Sequence, residues 1–332
     1  MGLPEEGGAV GTDAHEAEET AEFYRGFAGQ EARGRSRLYE QLTRGVSDDP
    51  DVVSLLVQLP RPLRQPNLLL GVVRFKFGTV AGYPEFRDLV IENWDEVSAE
   101  ILVRRTQTNE PARCATLLPV LVSLPQPLAL IEVGASAGLC LLPDRYRYDY
   151  GSDPIGPAES PVMLRCEAGT APPERLPEIA WRAGIDIAPI DVTDESATAW
   201  LEALVWPGEG DRLERLRAAL AVAREDPPPL FRRDIRDGIG DVVRSAPEGT
   251  TVVVFHTAVL AYLPREARAA FAAEVSGLPA VWLSNEGPRV LPEIAAKVGE
   301  EAMSAHPGDF VLARDGEPVA WTDPHGTFFR PF

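Results

Sequence analysis

"LALIEVGASAGLCLL", residues 128–142, decides how the rest of the chain reads. Leu128–Val133 is a short, nearly continuous apolar run, the pattern of a strand buried on both faces. It ends in the turn Gly134-Ala135-Ser136-Ala137-Gly138. In one reading the two glycines let the backbone turn tightly and let a ligand approach without Cβ interference. A helix expected to begin near Ala137 or Gly138 would then offer free N–H groups. In a second reading the same residues are a G-x-S-x-G elbow that presents Ser136 as a nucleophile. A purely structural turn is the third.

Glu132 separates these readings. At the carboxyl end of the strand it would repel a pyrophosphate, but it suits a ligand with a cationic amino group, such as the methionine part of S-adenosylmethionine. A second carboxylate should then end the next strand and accept from the ribose hydroxyls. Asp149 in "RYRYDYG", 17 residues after Glu132, is placed to do so, with Asp144 as the other candidate. For the elbow, Asp234 and then His256 or His325 follow Ser136 in the order such hydrolases use. Yet the 125 residues before the strand look helical, no H-G-type oxyanion segment precedes it, and Glu132 has no task in that chemistry.

Outward from the turn, the chain changes texture at Pro125-Gln126-Pro127. Downstream, "IAPIDV" (187–192), "TVVVFH" (251–256) and "AVWLSN" (280–285) resemble the first strand, and helical patterns at 210–226 and 264–277 intervene. Such alternation argues for a mostly parallel sheet covered by helices. "FVLARDGEPVAW" (310–321) sets Asp315-Gly316 between two short strands, a hairpin signal. Residues 151–180, rich in Pro and Gly, read as an excursion with one strand at "PVMLRC". Upstream, residues 15–123 read as helices, with Ser36 as an N-cap, Pro50 near a helix start, and Val72–Phe77 as the one weak strand candidate. The expected organisation is a disordered stretch at 1–14, a helical domain at 15–123, and an α/β, Rossmann-like cofactor-binding domain at 124–332.

Composition narrows the partners. Thirty-two basic against 51 acidic residues give a net charge of −19, a surface that repels nucleic acid and anionic lipid. Cys114, Cys140 and Cys166 form no C-x-x-C pair, and with four dispersed histidines no metal site is expected. No signal-peptide h-region or membrane span is visible, so a cytoplasmic location is expected.

Other polar residues fall where a doubly wound sheet would bind ligands. His256 ends a strand and is the candidate general base or substrate orienter, with a histidine hydrogen-bonded inside the core as the alternative. Asn285 and Glu286 follow another strand. Asp234 would contact adenine if Leu230–Arg233 is a strand. Arg105, Gln107, Asn109 and Glu110 in "RRTQTNE" are a capping loop or a lid, and His325 in "DPHGTFF" could fold back over the cleft. Asp191 and Asp194 are read as helix caps, and alternating Tyr146, Tyr148 and Tyr150 as a packed strand face.

The blocks "RTQTNE", "LIEVGASAGLCLLPDRYRYDYG", "PIDVTD", "LVWP", "VVFHTAVLAYLP", "LSNEGP" and "WTDPHG" resemble a bacterial family catalogued as domain of unknown function 2332. The likeness spans about residues 20–330. That family in turn resembles class I S-adenosylmethionine-dependent methyltransferases. The resemblance implies a final antiparallel hairpin, cofactor contacts at Glu132, Gly134, Ser136 and Gly138, a ribose contact at Asp149, and a small-molecule acceptor. Ser136 stands where the usual middle glycine would be. The function expected is methyl transfer; the alternatives are a Ser136 hydrolase or a non-catalytic nucleotide-binding protein.

Overall fold

The computed structural model describes residues 9–107 and 109–332. By compactness it divides into two units: the chain up to residue 107 together with Ala199–Glu214, and Asn109–Thr198 together with Arg215–Phe332. The first eight residues of the stretch expected to be disordered lie outside the described residues, and a helix is assigned from Ala9.

In the helical unit, α1 (Ala9–Phe27) leads through a π-helical turn to α2 (Arg37–Ser47), α3 (Pro50–Val57) and α4 (Pro66–Phe77). α5 (Tyr83–Glu92) and α6 (Trp94–Val103) follow. Ser36 caps α2 by accepting from Tyr39 N–H at 3.4 Å, and Pro50 opens α3, where its missing N–H costs nothing. The weak strand candidate Val72–Phe77 is helical. Pro66 starts that helix, Gly78 with φ 85° stops it, and Leu69, Val72 and Val73 bury one stripe. The core joins Tyr24, Leu42, Leu56 and Phe86 to Trp200 and Trp206 of the returning segment.

The other unit begins with α7 (Arg113–Ser123) and β1 (Leu128–Val133). Short strands β2 (Arg147–Asp149), β3 (Met163–Arg165) and β4 (Glu167–Ala168) precede β5 (Ile179–Asp186). Next come α8 (Glu195–Ala203) and α9 (Gly210–Glu225), whose residues between Ala199 and Glu214 belong to the helical unit, then β6 (Leu230–Arg232), α10 (Gly240–Arg244) and β7 (Thr251–Thr257). Then come α11 (Arg265–Ser276), β8 (Val281–Glu286), α12 (Pro292–Val298) and α13 (Glu300–Ala305). Strands β9 (Phe310–Arg314), β10 (Glu317–Thr322) and β11 (Phe328–Pro331) finish the chain.

Nine strands form one sheet in the order β4-β11-β10-β9-β8-β7-β1-β5-β6. The run β8-β7-β1-β5-β6 is parallel and β8-β9-β10-β11 is antiparallel, so this is a mixed α/β unit with antiparallel C-terminal strands. Asp315 (φ 53°) and Gly316 (φ 77°) turn the β9–β10 hairpin, as the Asp-Gly signal requires.

Register sorts the two faces of the centre. Ile131, Val254 and Trp282 lie side by side and pack with Phe271 and Val275 of α11 into the core. The opposite face carries Glu132 beside Phe255, and two residues further along, Thr257 beside Asn285.

Two strand expectations and one helix expectation are corrected. "IAPIDV" is not a strand: the Asp186 carboxylate accepts from Ala188 N–H at 2.8 Å, Pro189 has no N–H to give, and Ile187 is exposed. The strand lies earlier, at Ile179–Asp186. Asp149 does not end the strand beside β1, because β2 pairs with β3 in a separate two-stranded ribbon. And no full helix follows the glycine turn. Gly138 (φ 70°) and Pro143 cut it into two single 3-10 turns, Leu139–Leu141 and Pro143–Arg145.

Candidate functional site

The turn after β1 spends four of its five amides on the protein itself. Gly134 and Ala135 N–H donate to Ile185 O (2.8 and 3.1 Å), Ser136 N–H to Asp186 Oδ2 (2.8 Å), and Gly138 N–H to Ala135 O (2.6 Å). Asn109 clamps both ends of the turn, accepting from Leu139 N–H at 2.9 Å and donating to Ala135 O at 3.3 Å. A phosphate needs such N–H groups free. The glycines are likewise required by packing: a Cβ on Gly134 (φ 71°) would overlap the Val259 methyls, and one on Gly138 would lie 2.7 Å from Pro228 Cγ. What the turn leaves for a ligand is mainly carboxyl and hydroxyl groups, with Ala137 N–H the one turn amide not so engaged, which suits a ligand without phosphate.

Two carboxyl groups flank it. Glu132, on β1, is 2% exposed and its Oε2 has no hydrogen-bond partner. Burial pushes its carboxyl well above the usual range; the nearby Cys140 thiol and Asp186 add to this, while Arg113 opposes it. Asp186 ends β5, the neighbour of β1, and is held by its bonds to Ser136 and Ala188 N–H. Ser136 sits in the left-handed region (φ 51°) with its buried Oγ unpartnered. Cys140 donates to Glu110 O (3.4 Å) and Cys114 to Cys140 O (3.6 Å), so both thiols are packed beneath the turn.

The role expected of His256 is corrected. The Trp282 indole N–H can only donate, and it meets Nε2 at 3.0 Å, so that nitrogen accepts. The ring proton is therefore on Nδ1, directed at Glu286 Oε1 at 2.7 Å. Fully buried against Phe271, with both nitrogens engaged, His256 is a structural histidine and not a base open to a ligand. Glu286 Oε1 also accepts from Val259 and Leu260 N–H (2.9 and 3.0 Å), while its Oε2 has no partner. Beside it, Asn285 Oδ1 accepts from Thr322 Oγ1 at 2.7 Å and Asn285 Nδ2 has no partner.

The remaining candidates scatter. Arg105 and Gln107 belong to the helical unit, where Arg105 O accepts from Trp200 Nε1 and from Gln107 N–H, both at 2.9 Å. Asp149 accepts from Gly151 N–H at 2.9 Å and lies 3.7 Å from Arg165 Nε. Asp144 holds Arg182 by two bonds of 3.1 and 3.0 Å. Asp234 follows β6, as expected, and hydrogen bonds from Arg236 lower its carboxyl to about 2. His325 lies in a turn folded against the start of α7, its Nδ1 3.8 Å from Glu110 Oε2. Asp194 Oδ1 accepts from Ser196 and Ala197 N–H as a cap, and Asp191 Oδ1 from Thr193.

Two residues at this edge escaped the sequence reading. Asp186 was hidden by a strand interrupted by Arg182 and Gly184, although "GID" at its end carries the signal. Arg113, the first residue of α7, donates from Nε to Pro324 O (2.8 Å) and from Nη1 to Thr257 O and Oγ1 (3.0 and 3.2 Å). Among the described residues no helix is long and apolar enough to cross a membrane.

No curated protein matches the chain. A family model described as "Uncharacterized protein conserved in bacteria (DUF2332)" matches residues 21–330, nearly the whole sequence, and the chain belongs to that family.

Proposed function

We propose that the protein is an S-adenosylmethionine-dependent, methyltransferase-like enzyme of Rossmann-like fold that acts on a small molecule in the cytoplasm. One observation carries the reading. Glu132 and Asp186 stand at the carboxyl ends of the adjacent parallel strands β1 and β5, around a glycine turn that has already spent four of its five amides. Ligands of open α/β sheets bind at that edge. In this reading Glu132 meets the cofactor's ammonium group and Asp186, in place of Asp149, accepts from the ribose hydroxyls. Asp234 after β6 approaches adenine. Gly134, Ser136 and Gly138 shape the turn, with the orphaned Glu132 Oε2 and Ser136 Oγ as the unsatisfied polar atoms a ligand would complete. The cofactor would supply an activated methyl group; the protein's share is to hold and orient both partners.

Calorimetry tests this directly. S-adenosylmethionine and S-adenosylhomocysteine should bind the wild-type protein, and Glu132→Ala or Asp186→Ala should weaken binding at least tenfold. No heat with either ligand, or heat unchanged in both variants, would end the proposal. The hydrolase alternative draws on the left-handed backbone and unpartnered hydroxyl of Ser136, but His256 is committed to Trp282 and Glu286. Labelling of Ser136 by a fluorophosphonate probe would promote it.

A further inference from the structure

We propose that Arg113, with Asn285, forms an anion subsite over the ends of β7 and β8 that receives the carboxylate of a small acidic acceptor. The proposal rests on the transferase reading only in calling the ligand an acceptor; the subsite itself is argued from the groups present. Arg113 is 6% exposed, and its guanidinium meets only neutral oxygens: Pro324 O, Thr257 O and Thr257 Oγ1. Among the described residues no carboxylate lies within ion-pair distance of it. The neighbouring acids are committed elsewhere. Glu110 pairs with Arg215 Nε at 3.0 Å, and burial holds Glu132 toward its neutral form. Arg113 is also the first residue of α7, the end of a helix where its dipole disfavours a cation. A buried charge is ordinarily paired, so this one marks a place for an anion.

Asn285 supplies the independent sign. It is fully buried, it neighbours Thr257 in the parallel register of β7 and β8, and its Nδ2 is a donor with no acceptor. Arg113 and Asn285 therefore both adjoin Thr257, and an anion would bring the counter-charge that the one lacks and the acceptor that the other lacks. Thr322 Oγ1 holds the other end of the amide, which fixes which way it faces. The cofactor reading uses the ends of β1, β5 and β6, so this subsite at β7 and β8 is left for the second substrate. A planar carboxylate suits the flat guanidinium fork, and its single charge matches the single cation. A dianionic phosphate would bring excess charge to an edge that also holds Asp186 and Glu286.

Thermal unfolding of the full chain with simple probes tests the subsite. Benzoate and acetate should raise Tm by about 2 °C at ten times their Kd, while benzamide and acetamide should not. Arg113→Met and Asn285→Leu should each abolish or halve the shift, and Arg113→Lys should reduce it. If Arg113→Met fails to fold, Asn285→Leu and the amide controls still decide. Equal shifts with acids and amides, no shift with either acid, or a shift surviving in both Arg113→Met and Asn285→Leu would overturn the proposal. A shift with inorganic phosphate but not with benzoate would overturn the carboxylate assignment. Parallel calorimetry with S-adenosylmethionine separates the two readings. A carboxylate shift without cofactor binding keeps the subsite and removes the transferase, and cofactor binding without a carboxylate shift does the reverse.

Discussion

Glu286 at the end of β8 and Glu132 on β1 are both buried carboxyl groups in one sheet, and the chain treats them differently. One oxygen of Glu286 collects three donors: the His256 ring N–H and the Val259 and Leu260 amides. Glu132 collects no such set among the described residues: its Oε2, like that of Glu286, is unpartnered, and the Cys140 thiol is a neighbour. A carboxylate that accepts several N–H groups is stabilised where it sits. One that does not is a standing cost, kept where a ligand can relieve it. The contrast assigns Glu286 to the framework and Glu132 to the site.

The sharpest way to break that contrast is to remove Glu286. Glu286→Ala leaves two buried donors and one half-buried donor unsatisfied, and each buried one costs about 1–3 kcal/mol, so a loss of about 3–5 kcal/mol is expected in urea unfolding. A loss below about 1 kcal/mol would mean that Glu286 is not structural. Gly134→Ala comes next. The new methyl meets Val259 at a φ of 71°, and about 2–3 kcal/mol should be lost, with partial recovery in the double variant with Val259→Ala. If the single variant is neutral, the turn has room that a ligand could use.

Glu132→Gln should move stability the other way, and the pH dependence gives the sign. Burial raises the folded-state carboxyl above its unfolded value of 4.5, so between those two values the folded protein holds the extra proton. Stability therefore falls as pH rises through that window, by about 1.4 kcal/mol per pH unit. The amide cannot ionise, so Glu132→Gln should flatten this fall and melt higher than wild type at neutral pH. Equal slopes in the two proteins would place the charge of Glu132 in contact with a stabilising partner.

How much of this was legible follows from which signals are local. β1, β7, β8 and the hairpin announce themselves as apolar runs bounded by turn residues, and Glu132 is visible because it interrupts such a run at its end. Asp186 is not, because β5 carries Trp181, Arg182 and Gly184. Its Gly184 is required by packing against Leu230, from a strand 46 residues away, which no local pattern records. His256 misled for a related reason. Its position at a strand end was read correctly, but which way its ring faces depends on Trp282 and Glu286, on another strand. Arg113 reads as an ordinary helix residue until Thr257 and Pro324 are seen around it.

The smallest effect expected concerns Asp234, the counterpart of Asp186 one strand further out. Asp186 reaches across to hold Ser136 N–H in another segment, whereas Asp234 bonds only Arg236, two residues along its own chain. A local, partly exposed pair contributes about 0–1 kcal/mol, so Asp234→Asn should leave the urea midpoint almost unchanged. Its consequence should appear in affinity alone. If Asp234 approaches adenine, the variant should bind S-adenosylmethionine more weakly by about 1–2 kcal/mol, the worth of one hydrogen bond to a charged group. The affinity for methionine, which has no adenine, should not move. A variant that weakens both equally would make Asp234 a prop of the loop after β6, and would leave Asp186 as the outermost carboxylate of the site.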